Sequence, residues 1–224
     1  MENKVFPTLK DVLLLCFLCI VIQLILGLII SLFQNILILS DKSPIISVCY
    51  ILTSIISFGI VILIGFIKKK KKFNDVFQFN NVSIMLWISM IIFSVGFVII
   101  KSELDNLLNF ILPVPKILIS TFGTSRIRQS LIIAIIHTGL IAVFTEELLF
   151  RGIILDGFKN NYSKKKAIIV NAVLFGLIHL NPWQFLSAFL TGLITAWIRI
   201  ETKSIWLCIY IHLFNNILYS ITIR

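Results

Sequence analysis

Among the apolar runs, the densest group of ionisable residues lies in the segment Thr145-Glu146-Glu147-Leu148-Leu149-Phe150-Arg151. Carboxylates within an apolar segment can act as proton donors and acceptors in catalysis. On a helix, Glu147 and Arg151 are four residues apart and can pair on one face, which is also typical of a structural ion pair at a helix end, level with the lipid headgroups. Glu146 is rotated from Glu147 by about 100° and has no partner within its own helix. We therefore expect Glu146 to meet another helix, water or a substrate.

Two histidines in later apolar segments could join this group. His179 follows Phe175 by four residues, and Asn216 follows His212 by four. The second spacing places His212 and Asn216 on one helical face, so that both can reach one point. A single histidine in a membrane segment is more often an interhelical hydrogen-bonding residue than a catalytic one, and we interpret His137 in this way. One carboxylate, two histidines and an amide on three helices nevertheless form a candidate site.

Seven apolar runs must position these residues. They cover residues 12–33, 44–67, 82–100, 131–150, 167–180, 183–198 and 205–223. The basic run 68–72 predicts a loop, and residues 107–119, which contain two prolines, predict an interfacial or re-entrant piece. Runs 167–180 and 183–198 are shorter than a bilayer requires, and Asn181-Pro182 separates them. This arrangement predicts a short or tilted hairpin with its turn at membrane depth.

The composition also predicts a membrane protein. Apolar residues make up 58% of the chain and charged residues 13%, against roughly 45–50% and about 25% in a soluble domain. A soluble enzyme and a disordered chain are both excluded. At about 20 residues per span, the sequence predicts an all-α, polytopic transmembrane helical bundle with seven to eight membrane segments. We expect residues 1–128 to form a membrane scaffold and residues 129–224 to form the catalytic unit.

The net charge of +10 comes from short basic clusters between apolar runs. This distribution is typical of cytoplasmic loops beside anionic lipid headgroups and argues against a nucleic-acid partner. With a cytoplasmic N-terminus, 14 positive residues fall on the cytoplasmic side: Lys4, Lys10, residues 68–72, Arg151, Lys159, residues 164–166, Arg199 and Lys203. Six fall on the other side: Lys42, Lys101, Lys116, Arg126, Arg128 and Arg224. The bias predicts an integral membrane protein whose N-terminus is cytoplasmic.

The polar motifs resemble those of a known family. Glu146-Glu147-x-x-x-Arg151, Phe175-x-x-x-His179 and His212-x-x-x-Asn216 stand in the order found in the CPBP family. These are the CAAX-protease and bacteriocin-processing intramembrane endopeptidases, also called the Abi family. The resemblance covers residues 131–216. It implies a membrane-embedded protease, a hydrolase that cuts a membrane-associated or peptide substrate at a site open to the cytoplasm.

The resemblance also implies a role for each residue. Glu146 would activate a water molecule that His179 orients, while His212 and Asn216 would donate hydrogen bonds to the oxyanion of the tetrahedral intermediate. Glu147 and Arg151 would support the site. The same residues leave a metalloendopeptidase open, in which Glu146, His179 and His212 hold Zn²⁺. We prefer the mechanism that requires no cofactor, because Asn216 is a poor zinc ligand but a good oxyanion donor.

Two non-enzymatic functions stay open at the level of sequence. A bundle with buried acids and histidines could be a proton-coupled transporter, or a membrane immunity protein that binds a peptide toxin without cutting it. The missing inverted repeat disfavours many transporter folds, and the three-part motif favours hydrolysis.

The resemblance allows a prenylated CAAX peptide, a bacteriocin or signalling leader peptide, or a toxin as substrate. An Ile-, Lys- and Asn-rich chain is typical of an AT-rich bacterial genome, and bacteria generally lack protein prenylation. Peptide maturation or bacteriocin immunity in the bacterial cytoplasmic membrane, with lipids and a peptide or membrane-protein substrate as partners, is therefore the preferred expectation.

Overall fold

The computed structural model describes residues 5–40, 43–115 and 131–222. Eight helices occupy this part of the chain: α1 (Leu9–Ile36), α2 (Pro44–Lys69), α3 (Phe73–Phe77), α4 (Ile84–Ile111), α5 (residues 131–161), α6 (Lys164–Leu177), α7 (Pro182–Thr202) and α8 (Ile205–Thr222). Within these ranges there is no β-strand, only an isolated bridge between Phe79 and Ser204. The predicted all-α fold is confirmed. Six residues of the charge count lie outside the described residues: Lys4, Lys42, Lys116, Arg126, Arg128 and Arg224.

Local sequence sets the start of two important helices. At the start of α1, the backbone N–H of Thr8 donates to Asp11 Oδ2 at 2.8 Å, while the Thr8 hydroxyl oxygen accepts from the Asp11 N–H. This reciprocal capping satisfies backbone groups that the first turn would otherwise leave unpaired. At α7, the side chain of Asn181 accepts from the Trp183 N–H at 3.0 Å. The predicted break at Asn181-Pro182 is therefore present, between α6 and α7.

Two predicted boundaries near basic and proline-containing segments need correction. The run 68–72 is only partly a loop, because Lys68 and Lys69 form the last turn of α2. Positive side chains are favourable at that position, where they face the negative end of the helix dipole. Residues 107–111 complete α4 instead of forming a separate piece, and residues 116–119 lie outside the described residues.

Helix α5 is longer and less regular than the run 131–150 predicts. It contains two π-helical stretches, Ile135–Ile141 and Leu148–Ile154, which flank the α-helical turns Ala142–Glu147. A π-helix bonds each N–H five residues back, so it widens the turn and redirects the side chains that follow. The helix does not end near Phe150: the chain stays helical to residue 161. Arg151 therefore lies within the helix, and its side chain is buried in the bundle.

Four helices are long and apolar enough to cross a membrane: α1, α2, α4 and α7. A shorter apolar stretch, Ile205–Leu218, lies in α8. Helix α6 has 14 residues, which at 1.5 Å per residue span about 21 Å, less than the roughly 30 Å of a hydrocarbon core. These helices make the chain an integral membrane protein. Length and hydropathy establish four spans in the described residues, fewer than the seven to eight membrane segments that the sequence predicts.

Basic residues gather at one end of the bundle. Lys69 Nζ lies 2.6 Å from Asp156 Oδ2 and so joins the end of α2 to α5. The Val5 N–H donates to Asn161 Oδ1 at 2.9 Å and joins the segment before α1 to the end of α5. We call this the basic end. It carries Lys10, residues 68–72, Lys159, residues 164–166 and Lys203.

The largest buried cluster surrounds α5, with contributions from α1, α2, α6 and α7. Leu149, Phe150, Ile153 and Ile154 have no exposed surface. Residues 149–158 are all buried, so this part of α5 is enclosed on all sides. Its charged residues must therefore find partners within the protein.

Candidate active site

Glu147 is fully buried between two charged or ionisable partners. Its Oε1 lies 2.8 Å from His212 Nδ1, and its Oε2 lies 3.1 Å from Arg151 Nε in an ion pair that is not aligned as a hydrogen bond. The predicted pairing of Glu147 with Arg151 is thus present. Neither side chain has exposed surface, and the helix continues beyond Arg151, so this is not an ion pair at a helix end. The pair belongs to the interior of the bundle.

Arg151 links α5 to two further helices. Its Nη2 donates to the hydroxyl oxygen of Thr195 and to the carbonyl oxygen of Gly192 at 3.5 Å. Its guanidinium carbon lies 4.3 Å from the centre of the Phe175 ring, in cation–π geometry. A buried charge costs several kcal/mol unless such contacts compensate it. Glu147, Thr195 and Phe175 together supply that compensation.

His212 lies between the two adjacent carboxylates. Its Nδ1 faces Glu147, and its Nε2 lies 3.8 Å from Glu146 Oε2. This distance is too long for a direct hydrogen bond but can be bridged by one water molecule. The side chain of Glu146 is 14% exposed, whereas that of Glu147 is not exposed at all. Glu146 therefore lies near His212 of another helix and is the carboxylate that solvent or a ligand can reach.

A cavity of about 200 Å³ brings Glu146 and His179 together. Its lining consists of Cys19, Ile20, Gln23, Phe58, Glu146, Ile178 and His179. The Nδ1 of His179 lies 2.8 Å from the Phe175 carbonyl oxygen, a contact that fixes the ring. The Phe175 ring meets both His179 and His212 edge to face, at centroid distances of 5.3 and 5.5 Å. With Arg151 over the ring face, three predicted site residues contact this one aromatic side chain.

Asn216 makes a contact that the sequence does not indicate. Its Nδ2 donates to the carbonyl oxygen of Thr138 at 2.8 Å and ties α8 to the first π-helical stretch of α5. One turn earlier, His212 reaches the carboxylates. His137 Nε2 lies 2.9 Å from Ser54 Oγ of α2, which agrees with its interpretation as an interhelical hydrogen-bonding residue.

The sequence alone does not identify three residues of this site: Phe175, Thr195 and Gln23. The spacing of four between Phe175 and His179 was visible, but nothing in the sequence shows that the ring also contacts Arg151 and His212. Thr195 is 44 residues from Arg151, so no local pattern connects them. Gln23 carried a usable signal, since it is one of few polar residues within the first apolar run.

The geometry does not assemble the alternative zinc site. Among residues 5–40, 43–115 and 131–222, no three His, Cys, Asp or Glu side chains are grouped so that they could hold a metal ion. In particular, Glu146, His179 and His212 do not form such a group. We therefore derive no step of the mechanism through a metal ion.

Comparison with known protein families gives a match in the C-terminal part of the chain. Residues 128–218 match the family model described as type II CAAX prenyl endopeptidase Rce1-like. The matched segment is less than half of the chain, and it contains all six predicted site residues. Neither a curated protein nor a solved structure matches the chain. The resemblance drawn from the three motifs is confirmed for this segment.

Proposed function

We propose that this integral membrane protein, whose residues 128–218 match a family of CAAX-type proteases, is an intramembrane endopeptidase that uses Glu146. The carrying observation is that Glu146 and His179 line one cavity while His212 Nε2 lies 3.8 Å from Glu146. Hydrolysis of a peptide needs an activated water molecule and a donor to the developing oxyanion. These three side chains can supply both.

In the proposed reaction, the carboxylate of Glu146 takes a proton from a water molecule that His179 orients. The water oxygen forms a bond to the carbonyl carbon of the substrate, and the carbonyl electrons move to its oxygen. His212, protonated at Nε2, donates a hydrogen bond to that oxyanion. When the intermediate collapses, the carbon–nitrogen bond breaks, and the proton held by Glu146 passes to the leaving amine. The step consumes one water and requires no cofactor.

Supporting roles follow from the buried contacts. Glu147 accepts from His212 Nδ1 at 2.8 Å, so it directs Nε2 towards Glu146 and compensates the charge of a ring protonated at both nitrogens. Arg151 holds Glu147 in place. Asn216 is proposed as a second oxyanion donor, through the amide group that also contacts Thr138.

The setting of this site is also a proposal. Seven of the eight helices, all except the five-residue α3, would pass through or into the bilayer, with the basic end in the cytoplasm. We place the protein in a bacterial cytoplasmic membrane. Its substrate would be a peptide or a membrane-associated protein, in peptide maturation or bacteriocin immunity.

The test compares the full chain in lipid nanodiscs with its Glu146→Gln variant. Two quenched fluorescent probes are used: a farnesylated peptide with a C-terminal CAAX sequence, and a mixture of apolar peptides. We expect Glu146→Gln to reduce kcat by about 10²–10⁴-fold, the usual contribution of a general base. The matched control is Glu103→Gln, since Glu103 is an exposed residue of α4, and it should keep wild-type activity.

Other outcomes discriminate between the alternatives. Equal cleavage by wild type and Glu146→Gln, or none by wild type, contradicts the proposal and favours the immunity protein or the transporter. Proton uptake by vesicles that contain the wild-type chain would then identify the transporter. Inhibition by EDTA that added Zn²⁺ reverses would replace the metal-free mechanism by the metalloendopeptidase.

A further inference from the structure

Part of the wall of the cavity at Glu146 comes from outside the segment that matches the protease family. Cys19, Ile20 and Gln23 belong to α1 and Phe58 to α2, whereas Glu146, Ile178 and His179 belong to residues 128–218. Polar groups therefore reach the cavity from both parts of the chain. If the amide of Gln23 contacts the substrate, the N-terminal helices contribute to substrate binding as well as enclosing the site.

Gln23 occupies a distinctive position on α1. The buried face of this helix runs through Val12, Leu15, Cys16 and Cys19 and returns at Ile30. Helical periodicity places position 23 on the same face. Between Cys19 and Ile30, however, α1 meets the cavity at Gln23 instead of a packed neighbour. An amide near the middle of a spanning helix is costly unless it binds something.

The amide of Gln23 has little to bind within the described part of the protein. Its one hydrogen bond there runs from Nε2 to Cys19 Sγ at 3.9 Å, and a thiol sulfur is a weak acceptor. The side chain is half-buried. An amide offers both a donor and an acceptor, the same pair that a peptide group offers. Gln23 can therefore form hydrogen bonds with the main chain of an extended peptide.

The remaining walls suit the rest of such a ligand. Ile20, Phe58 and Ile178 are apolar, so they favour an apolar side chain beside the bound peptide group. Water takes about 30 Å³ per molecule in the liquid, and the cavity of about 200 Å³ has room for a side chain together with the reacting water.

We propose that Gln23 is a substrate-positioning residue: its amide binds the main chain of a peptide whose apolar neighbouring side chain lies against Ile20, Phe58 and Ile178. This inference rests on the proposed function, because it assumes that Glu146 acts on the peptide held there. The N-terminal scaffold then contributes to substrate binding, while the C-terminal helices supply the chemistry.

The experiment measures KM and kcat for whichever fluorescent peptide the wild type cleaves in nanodiscs. Gln23→Leu preserves the size of the side chain and removes its amide. We expect KM to rise about tenfold, equivalent to 1.4 kcal/mol, with kcat within about twofold of wild type. Gln23→Asn, which keeps a shorter amide, should recover part of the affinity. The matched control is Ser31→Leu, a polar-to-apolar change on an exposed position of α1, and KM should not change.

Each result assigns the role or removes it. An unchanged KM in Gln23→Leu overturns the inference, and so does a lowered thermal midpoint with a lowered kcat at constant KM, which indicates a structural role. In both cases Glu146→Gln would still be inactive, so the proposed function would stand. If wild type cleaves no peptide, or if Glu146→Gln cleaves as well as wild type, the proposed function fails and this inference fails with it.

Discussion

Phe175 holds three polar side chains of the site in position. Its ring face lies 4.3 Å from the Arg151 guanidinium, and it meets the rings of His179 and His212 edge to face. Its carbonyl oxygen also contacts His179 Nδ1. A cation over a desolvated ring contributes about 2 kcal/mol or more. The side chain therefore affects both the stability of the buried ion pair and the orientation of both imidazoles.

We predict that Phe175→Leu impairs both catalysis and stability. Leucine preserves apolar contact but has no ring face for Arg151 and no edge contacts with the histidines, so kcat should fall at least tenfold. The control is Phe97→Leu, since Phe97 is a buried ring of α4 that packs with α7 and α8. Phe97→Leu should lose about 1–2 kcal/mol of stability, and Phe175→Leu about 2 kcal/mol more, because it also loses the cation–π contact. Equal kcat in the two variants would show that Phe175 only fills space. Activity assays and thermal unfolding in nanodiscs give the comparison.

Spacing along one helix predicts side-chain contacts within that helix, whereas contacts between residues far apart in the sequence cannot be predicted in this way. The contact between Glu147 and Arg151 follows from a separation of four residues, which any helix brings together. His212 is 65 residues from Glu147, and which of two adjacent carboxylates it approaches depends on the rotation of α5. The spacing of four predicts that His212 and Asn216 reach one point, but it does not indicate the contacts of His212 with Glu147 and of Asn216 with Thr138.

The end of α5 packs closely against the segment before α1. A Cβ atom added to Gly157 would lie 2.6 Å from the backbone nitrogen of Pro7 and 2.7 Å from its carbonyl oxygen. Asn161 holds the same segment through hydrogen bonds to the backbone of Val5. The absence of a side chain at Gly157 thus allows the start of α1 to pack on the end of α5.

We predict opposite effects for two glycine-to-alanine changes. Gly157→Ala must displace backbone atoms of Pro7, so it should destabilise the protein by about 1–3 kcal/mol. In Gly27→Ala the new methyl group meets nothing within 4 Å, and alanine should stabilise α1 by up to about 1 kcal/mol. Thermal midpoints of the purified variants in one detergent test this difference. A midpoint for Gly157→Ala at or above that of wild type would contradict the close packing.

The sequence predicted most helices but not their irregularities. Apolar runs determine where α1, α2, α4, α7 and α8 lie, because a membrane favours long helices of such residues. The π-helical stretches of α5 leave no comparable pattern. The first of them contains Thr138, whose carbonyl oxygen accepts from Asn216, and α5 continues to residue 161.

The charges of the whole molecule are unbalanced, with 20 basic residues and 10 acidic ones. At the basic end, Asp156 gathers three lysines, at 2.6 Å from Lys69, 3.0 Å from Lys71 and 3.5 Å from Lys159. Burial alone would raise the pKa of Asp156, but the hydrogen bonds and charges of these lysines outweigh it and hold the pKa below its usual value of 3.8. One carboxylate thus offsets much of the local repulsion.

We predict that Asp156 stabilises the folded chain at neutral pH and ceases to do so in acid. A carboxyl group whose pKa is lower in the folded state adds stability above its unfolded pKa and loses it as the pH falls through the folded value. Asp156→Asn should therefore lower the free energy of unfolding by about 1.5–3 kcal/mol at pH 7, and this difference from wild type should shrink below about pH 4.

The control is Asp75→Asn, at an exposed position in α3, which should have little effect on stability. Thermal midpoints between pH 3 and 7 provide the measurement. A difference for Asp156→Asn that stays constant over this range would mean that its charge does not hold the basic end together.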